Sequence, residues 1–328
     1  MICEFEDKVF NVQTADFETL ALDIFRFQYN HNPVYHQYVK ALSIVGDDVI
    51  TISRIPFLPI QFFKTHAVKT TSFEPAVVFE SSGTTQTLNS RHFVKDTGLY
   101  RQSFLQAWQQ FYGPVEDWCI IGLLPSYLER GNSSLVYMAS ELVRLSRHTD
   151  SGFYLYEHEK LQQVLKGLEK AGQKTLLIGV TFALLDFAEK YPLPLHNTIV
   201  METGGMKGRR EEMTRQEVHA ILKNAFQLSA IHSEYGMTEL LSQAYSAGEG
   251  IFDCPAWMKV VVRQEDDPFD IRLSGTGVIN IIDLANIYSC SFIATDDIGK
   301  LDVSGQFEVQ GRMDNSDIRG CSLMVTGI

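Results

Sequence analysis

The stretch FESSGTTQTLNSRHF (residues 79–93) sets two serines, a glycine and two threonines side by side, with Gln86, Arg91 and His92 close behind. Hydroxyls and backbone N–H groups in a glycine-containing turn can surround an anion, and Gly83 permits the backbone geometry such a turn requires. The pattern is not GxxxxGK[ST], because no Lys follows it. Nor is it the GxSxG of a nucleophile elbow, so Ser81 and Ser82 are poor hydrolase nucleophiles. Taken alone, the cluster also reads as an ordinary turn.

Four further loops carry candidate chemistry. In HSEYGMTEL (232–240) a strand-like segment ends in Tyr235-Gly236, followed by Thr238 and Glu239. Tyr can stack on a base, Thr can bond a phosphate, and Glu can hold magnesium through oxygen; the alternative is a glycine turn with Thr238 and Glu239 at the start of a helix. In METGGMKGRR (201–210) paired glycines after an apolar strand let another molecule approach the backbone, and Lys207, Arg209 or Arg210 offer an anion contact or a solvated basic turn. ATDDIGK (294–300) offers Asp296 or Asp297 to ribose hydroxyls, or else forms a β-turn with acidic corners. QGRMDNSDIRG (310–320) reads as a strand end followed by a charged turn.

The elements that must position these loops alternate. Phe17, Leu20, Ala21, Ile24 and Phe25 recur at helical spacing with Thr14 as a cap, and RIPFLPIQFFK (54–64), with two prolines, reads as irregular or extended. WCIIGLL (118–124), TLLIGV (175–180) and NTIVME (197–202) are strand-like, with helices expected around 135–145 and 182–190 and a capping box at Thr214 and Glu217. That alternation predicts βαβ units and a largely parallel sheet. After about residue 270, GVINIIDL, SFIATDDIG, KLDVSG and QFEVQGR predict short strands in an antiparallel or barrel-like subdomain.

Forty acids against 28 bases give a net charge of −12, which argues against a broad nucleic-acid surface. No apolar run approaches the ~20 residues of a membrane span, and the start does not read as a signal peptide, so a cytoplasmic location is expected. The five cysteines are scattered without a CxxC pair, which suggests neither a disulfide framework nor a zinc site.

In their order, these loops resemble the motif series of adenylate-forming enzymes: acyl-CoA synthetases, luciferases and peptide-synthetase adenylation domains. SSGTT resembles the phosphate-binding signature, YGMTE the aromatic/Thr/Glu signature, TDDIG the ribose-binding Asp motif and GRMDNSDIRG the hinge motif. IPFLPIQFFK, FESSGTTQTLNSRH, LPSYLERGNSSLVYM and ETGGMKGR are most similar to the LuxE-like acyl-protein synthetase branch, and the similarity covers essentially the whole chain.

The resemblance implies an α/β fold: the large N-terminal domain of adenylate-forming enzymes over residues 1–311, mainly parallel sheets with helices plus a small antiparallel, barrel-like β subdomain. Residues 312–328 would form the hinge and a terminal stub, without the full C-terminal domain and its Lys. It implies ATP and Mg2+, with Ser81, Ser82, Gly83, Thr84 and Thr85 around the phosphates. Gly204, Gly205, Met206, Tyr235 and Gly236 would line the adenine, and Asp297 with Arg312 would hold the ribose. Thr238 would contact the α-phosphate, Glu239 would bind the metal, and His92 would contact a phosphate or carboxylate, or serve the fold. Cys321 stands where this branch carries its acyl group. Two departures accompany these matches: after SGTT, Gln86 replaces the usual glycine and Arg91, not a Lys, is the nearest cation; and no Lys follows Lys300, where relatives carry the catalytic Lys of their C-terminal domain.

The implied function is ATP-dependent activation of a carboxylic acid, a fatty acid by analogy, and transfer to a protein thiol. A reductase, carrier or transferase would receive the acyl group. A nucleotide-binding or scaffold subunit without adenylation, and an acyl-CoA ligase, are the alternatives.

Overall fold

The structure is a computed structural model of the 328-residue chain that describes residues 2–81, 88–125, 131–204 and 213–313. The chain divides into two compact units, one of Met1–Ser103, Thr238–Ser242 and Asp253–Ile328, the other of Phe104–Met237 and Gln243–Phe252. Among the described residues no helix is long and apolar enough to cross a membrane.

The second unit is built as the alternation predicts. Its sheet runs in the order Gly152–Phe153, Cys119–Leu123, Thr175–Gly179, Thr198–Glu202, His232–Tyr235, Ala244–Ser246, parallel except for the last pair. Cys119–Leu123 and Thr175–Gly179 are buried at every position, as strands covered on both faces must be. Helix His158–Ala171 turns Leu161, Leu165 and Leu168 to the core at helical spacing and stops at Gly172, whose φ of 68° suits glycine. Helix Arg215–Phe226 begins on the Thr214/Glu217 capping box, which satisfies two of its orphan amides. In register, Gly179, Glu202 and Ser233 lie side by side near the carboxyl ends of their strands. That edge of an open parallel sheet is where ligands bind, and the candidate loops after Glu202 and Tyr235 leave it there.

The first unit holds an antiparallel sheet of Ile271–Arg272, Met258–Arg263, Gly275–Asp283, Phe292–Leu301 and Phe307–Arg312, in the order 271–272, 258–263, 275–283, 292–301, 307–312. Leu58–Pro59 pairs parallel to Phe292–Leu301. RIPFLPIQFFK is therefore extended at its centre, and it ends in a helical turn, Phe62–Thr65. SFIATDDIG and the following KL form one strand, so TDDIG is strand and not a β-turn. Helix Phe17–His31 packs Phe25 against Tyr35 and Phe292, while Gln28 donates through Nε2 to Asn286 O, Ile287 O and Ser291 Oγ. Thr14 does not cap this helix: Asp16 occupies the N-cap, in a helical conformation and without a side-chain bond.

Candidate active site

The loop that opens with Ser81 leaves an antiparallel ribbon, Val77–Glu80 against Arg91–Val94. Its base is closed by Ser81 N–H to Ser90 O (3.0 Å) and Ser90 N–H to Ser81 Oγ (2.9 Å). Ser82, Gly83, Thr84 and Thr85, with Gln86, lie outside the described residues.

His92 stands opposite Phe79 in this ribbon and is 1% exposed. Its Nδ1 meets Thr238 O at 2.9 Å and its Nε2 meets Asn286 Oδ1 at 3.0 Å. Asn286 in turn donates Nδ2–H to Glu239 O (2.7 Å) and Cys290 O (3.0 Å), which fixes its Oδ1 as an acceptor. Burial pushes the His92 pKa down to about 4, against the opposing pull of its bonds to Thr238 and Asn286. Near pH 7 the ring is neutral with a single N–H, and in the Nδ1–H tautomer it donates to Thr238 O while Nε2 only lies against Asn286 Oδ1.

Asp283 holds the same segment two residues further along, at Leu241 and Ser242. Its Oδ2 accepts from Leu241 N–H (2.8 Å) and Ser242 N–H (3.1 Å), and its Oδ1 from Ser242 Oγ (2.6 Å) and Ala285 N–H (3.1 Å). Burial raises its pKa to about 6 in spite of these donors. Residues 238–242 are thus held at both carbonyls of Thr238 and Glu239 and both amides of Leu241 and Ser242. They form a turn, not the start of a helix. The Glu239 side chain is 5% exposed. Burial pushes its pKa up, while the Ser90 hydroxyl, Arg312 and Lys64 pull it down.

Asp297 is 5% exposed and accepts from Arg312 Nε at 2.8 Å, its register partner on the neighbouring strand. A bulge opposite Ile279 re-aims this part of the strand. Thr295 Oγ1 stitches it by donating to Ile279 O (2.7 Å) and accepting from Asp297 N–H (3.1 Å).

In the second unit Tyr235 closes its strand, 8% exposed, with its ring 5.8 Å from that of Phe252. Gly236 follows, and a Cβ there would stand 2.3 Å from Glu234 Oε1. Burial, and then the charge of Glu202, push the Glu234 pKa up to about 8. Gly204 has φ 72° and donates its N–H to Glu202 Oε2 (2.7 Å). Glu202 is 4% exposed and meets Arg215 Nε at 3.2 Å and His219 Nε2 at 3.7 Å. Burial alone would raise its pKa, but His219, Arg215, Ser233 and the Gly204 amide hold it near about 2. Gly205, Met206 and Cys321 lie outside the described residues.

Sequence reasoning passed over Ser90, Asp283, Asn286 and Glu202. The available signal was polar residues inside apolar runs, in VINIIDLANIYSCSFI and TIVME, since buried polar groups demand partners.

The sequence pattern described as "Acyl-protein synthetase, LuxE" matches residues 10–327. No curated protein matches the sequence at a significant level. Among solved structures, the chain is similar to ATP-bound MatB from Rhodopseudomonas palustris, with TM-score 0.54 and 14% identity over 74% of this chain and 49% of that one. It is also similar to 2-hydroxyisobutyryl-CoA ligase in the postadenylation state with R3-HIB-AMP, with TM-score 0.66 and 10% identity over 94% of this chain and 70% of that one. The chain spans about half the length of the MatB structures it matches. At such identities the likeness carries the fold, that of adenylate-forming ligases. The pattern matched over nearly every residue carries the family, and the chain belongs to the LuxE acyl-protein synthetases.

Proposed function

We propose that the protein activates a carboxylic acid with ATP and passes the acyl group to a protein thiol. In the first step a carboxylate oxygen attacks the α-phosphorus; that O–P bond forms as the bond to the bridging oxygen breaks and pyrophosphate leaves. In the second, a thiolate attacks the acyl carbon, the C–S bond forms, and AMP leaves with the oxygen. Both steps depend on positioning and on charge stabilisation.

The observation that carries this reading is the four-point clamp on residues 238–242, because it holds Thr238 and Glu239 from elements distant in the chain. Preorganised polar groups lower a barrier without reorganising during reaction. In this account Thr238 contacts the α-phosphate, and His92 and Asn286 position it. Ser81 to Thr85 surround the phosphates, Tyr235, Gly236, Gly204, Gly205 and Met206 the adenine, and Asp297 with Arg312 the ribose.

Glu239 suits magnesium. Nucleotide-bound Mg2+ takes one or two carboxylates and completes its shell with phosphates and water, and Glu239 is one buried carboxylate without a surrounding cluster: among the described residues no group of three His, Cys, Asp or Glu could hold a metal alone. The ion would neutralise phosphate charge.

Cys321 is our candidate acyl carrier. Among the described cysteines, burial pushes Cys119 to about 11 and Cys254 and Cys290 to about 12, so these three are not primed as thiolates. A fatty acid as substrate, a reductase, carrier or transferase as acceptor, and a cytoplasmic setting complete the proposal.

ATP–pyrophosphate exchange across short, long, aliphatic and aromatic acids tests the first step without any acceptor. Exchange dependent on one acid class supports the reading; silence across the panel, with a partner reductase also tried, favours a scaffold. A hydroxylamine-labile acyl label that survives Cys321→Ser would move the second step to another nucleophile.

A further inference from the structure

A cleft of about 100 Å3 opens in the first unit beside the Phe292–Leu301 strand. Its apolar walls include Phe57, Pro59 and Phe269, and its polar lining is Arg263, Asn280, Gln61 and Asp296. It takes Asp296 from the TDDIG motif and not Asp297, so it is separate from the residues assigned to the nucleotide.

The polar lining is unevenly satisfied. Arg263 Nη1 donates to Ile279 O (3.4 Å) and to Asn280 Oδ1, and Nη2 donates to Thr295 O (2.9 Å). All three acceptors are neutral, and among the described residues Nε makes no hydrogen bond and no carboxylate forms an ion pair with this guanidinium. Asn280 is 0% exposed, and its Nδ2 has no hydrogen-bond partner. The acid on the opposite wall is already engaged, since both Asp296 oxygens accept from Gln61 Nε2 (2.7 and 2.8 Å).

This half-buried guanidinium hydrogen-bonds only neutral acceptors; burial lowers its pKa, and the charge of Asp296, acting through space without an ion pair, offsets that loss of hydration only in part. The edge formed by Nε and Nη2 is the one that binds a carboxylate in bidentate fashion. An unpartnered buried amide beside it favours the same kind of acceptor. We infer that this cleft binds a small organic acid, its carboxylate on the Nε edge of Arg263 and its apolar or aromatic body against Phe57, Pro59 and Phe269. The inference does not rest on the adenylation reading.

Phe269 is 53% exposed and Trp108, Trp118 and Trp257 are all buried, so Phe269→Trp places a solvent-exposed reporter at the cleft. Titration of this variant with benzoate at pH 7 should give a saturable emission change with a Kd of about 1 mM, a reasonable strength for a ligand of this size. Benzyl alcohol and benzylamine, of similar body but neutral and cationic, should bind at least tenfold more weakly. Adding Asn280→Asp supplies Arg263 with its own carboxylate and should abolish benzoate binding. Adding Arg263→Lys should weaken it at least tenfold, with circular dichroism reporting that each variant is folded. Equal response to the three probes, unchanged benzoate binding in folded Asn280→Asp, or no saturable response to benzoate would overturn the inference. Pyrophosphate exchange, measured separately, reports on adenylation whatever the cleft does.

Discussion

Replacing Asn286 by alanine removes the one side-chain amide that donates to two buried carbonyls, Glu239 O and Cys290 O. Each buried polar group left without a partner costs about 1–3 kcal/mol, and local relaxation recovers part of the sum over the two carbonyls, so a loss of about 2–4 kcal/mol is expected. With an unfolding entropy of about 2.1 cal/mol/K per residue, the 328 residues give about 0.7 kcal/mol/K, and Tm should fall by about 3–6 °C. Calorimetry reads this directly. Because one of these bonds holds the carbonyl of Glu239, and the neighbouring carbonyl of Thr238 is held by the adjacent His92, pyrophosphate exchange at 20 °C, where the variant is still folded, should fall at least tenfold, chiefly in kcat. His92→Ala combined with Asn286→Ala should cost less than the two separately, as members of one network do. A Tm within about 1 °C of the parent, or the full loss of stability with exchange untouched, would refute the clamp.

Two titrations give further tests. The His92 pKa lies near about 4 in the fold against an ordinary 6.5, so the unfolded chain binds its proton first on acidification. The associated stability is complete above pH 6.5 and is lost progressively as pH falls toward 4, to about 3 kcal/mol in all. The slope of Tm between pH 6.5 and 4 should be shallower in His92→Gln. Glu234 has the opposite sense: its pKa rises from an ordinary 4.5 to about 8. Its neutral form is fully compatible with the fold below pH 4.5, and stability drains away as pH climbs through 8. Glu234→Gln should therefore raise Tm at pH 8 by a few degrees and leave it unchanged at pH 4.5; an equal shift at both would mean that packing, not titration, is responsible.

The parallel sheet was legible because its signal is local. Continuous apolar runs such as those at Cys119–Leu123 and Thr175–Gly179 can be satisfied only by burial on both faces, and Thr214 and Glu217 form their capping box within four residues. Thr14 failed as a cap because its choice rested on spacing alone, and helix Phe17–His31 starts on Asp16 without any side-chain cap. TDDIG carried two acids with equal claims to the ribose, and the stretch read equally well as a turn. The long-range ladder to Gly275–Asp283 and the Thr295-stitched bulge made it a strand and buried Asp297 against Arg312. The clamp was illegible for the same reason. His92 and Asn286 are 194 positions apart and Asn286 and Glu239 are 47 apart, and no periodicity or spacing encodes a bond that only the folded chain brings about.

The most direct test of the central claim is ATP–pyrophosphate exchange by the parent and by Glu239→Gln, with Mg2+ and whichever acid supports the highest rate. The account predicts acid-dependent exchange in the parent and a loss of about 100-fold or more in Glu239→Gln, with Tm no lower, since the buried carboxylate is held at some cost to its charged form. Exchange at the parental rate in a folded Glu239→Gln protein would contradict it.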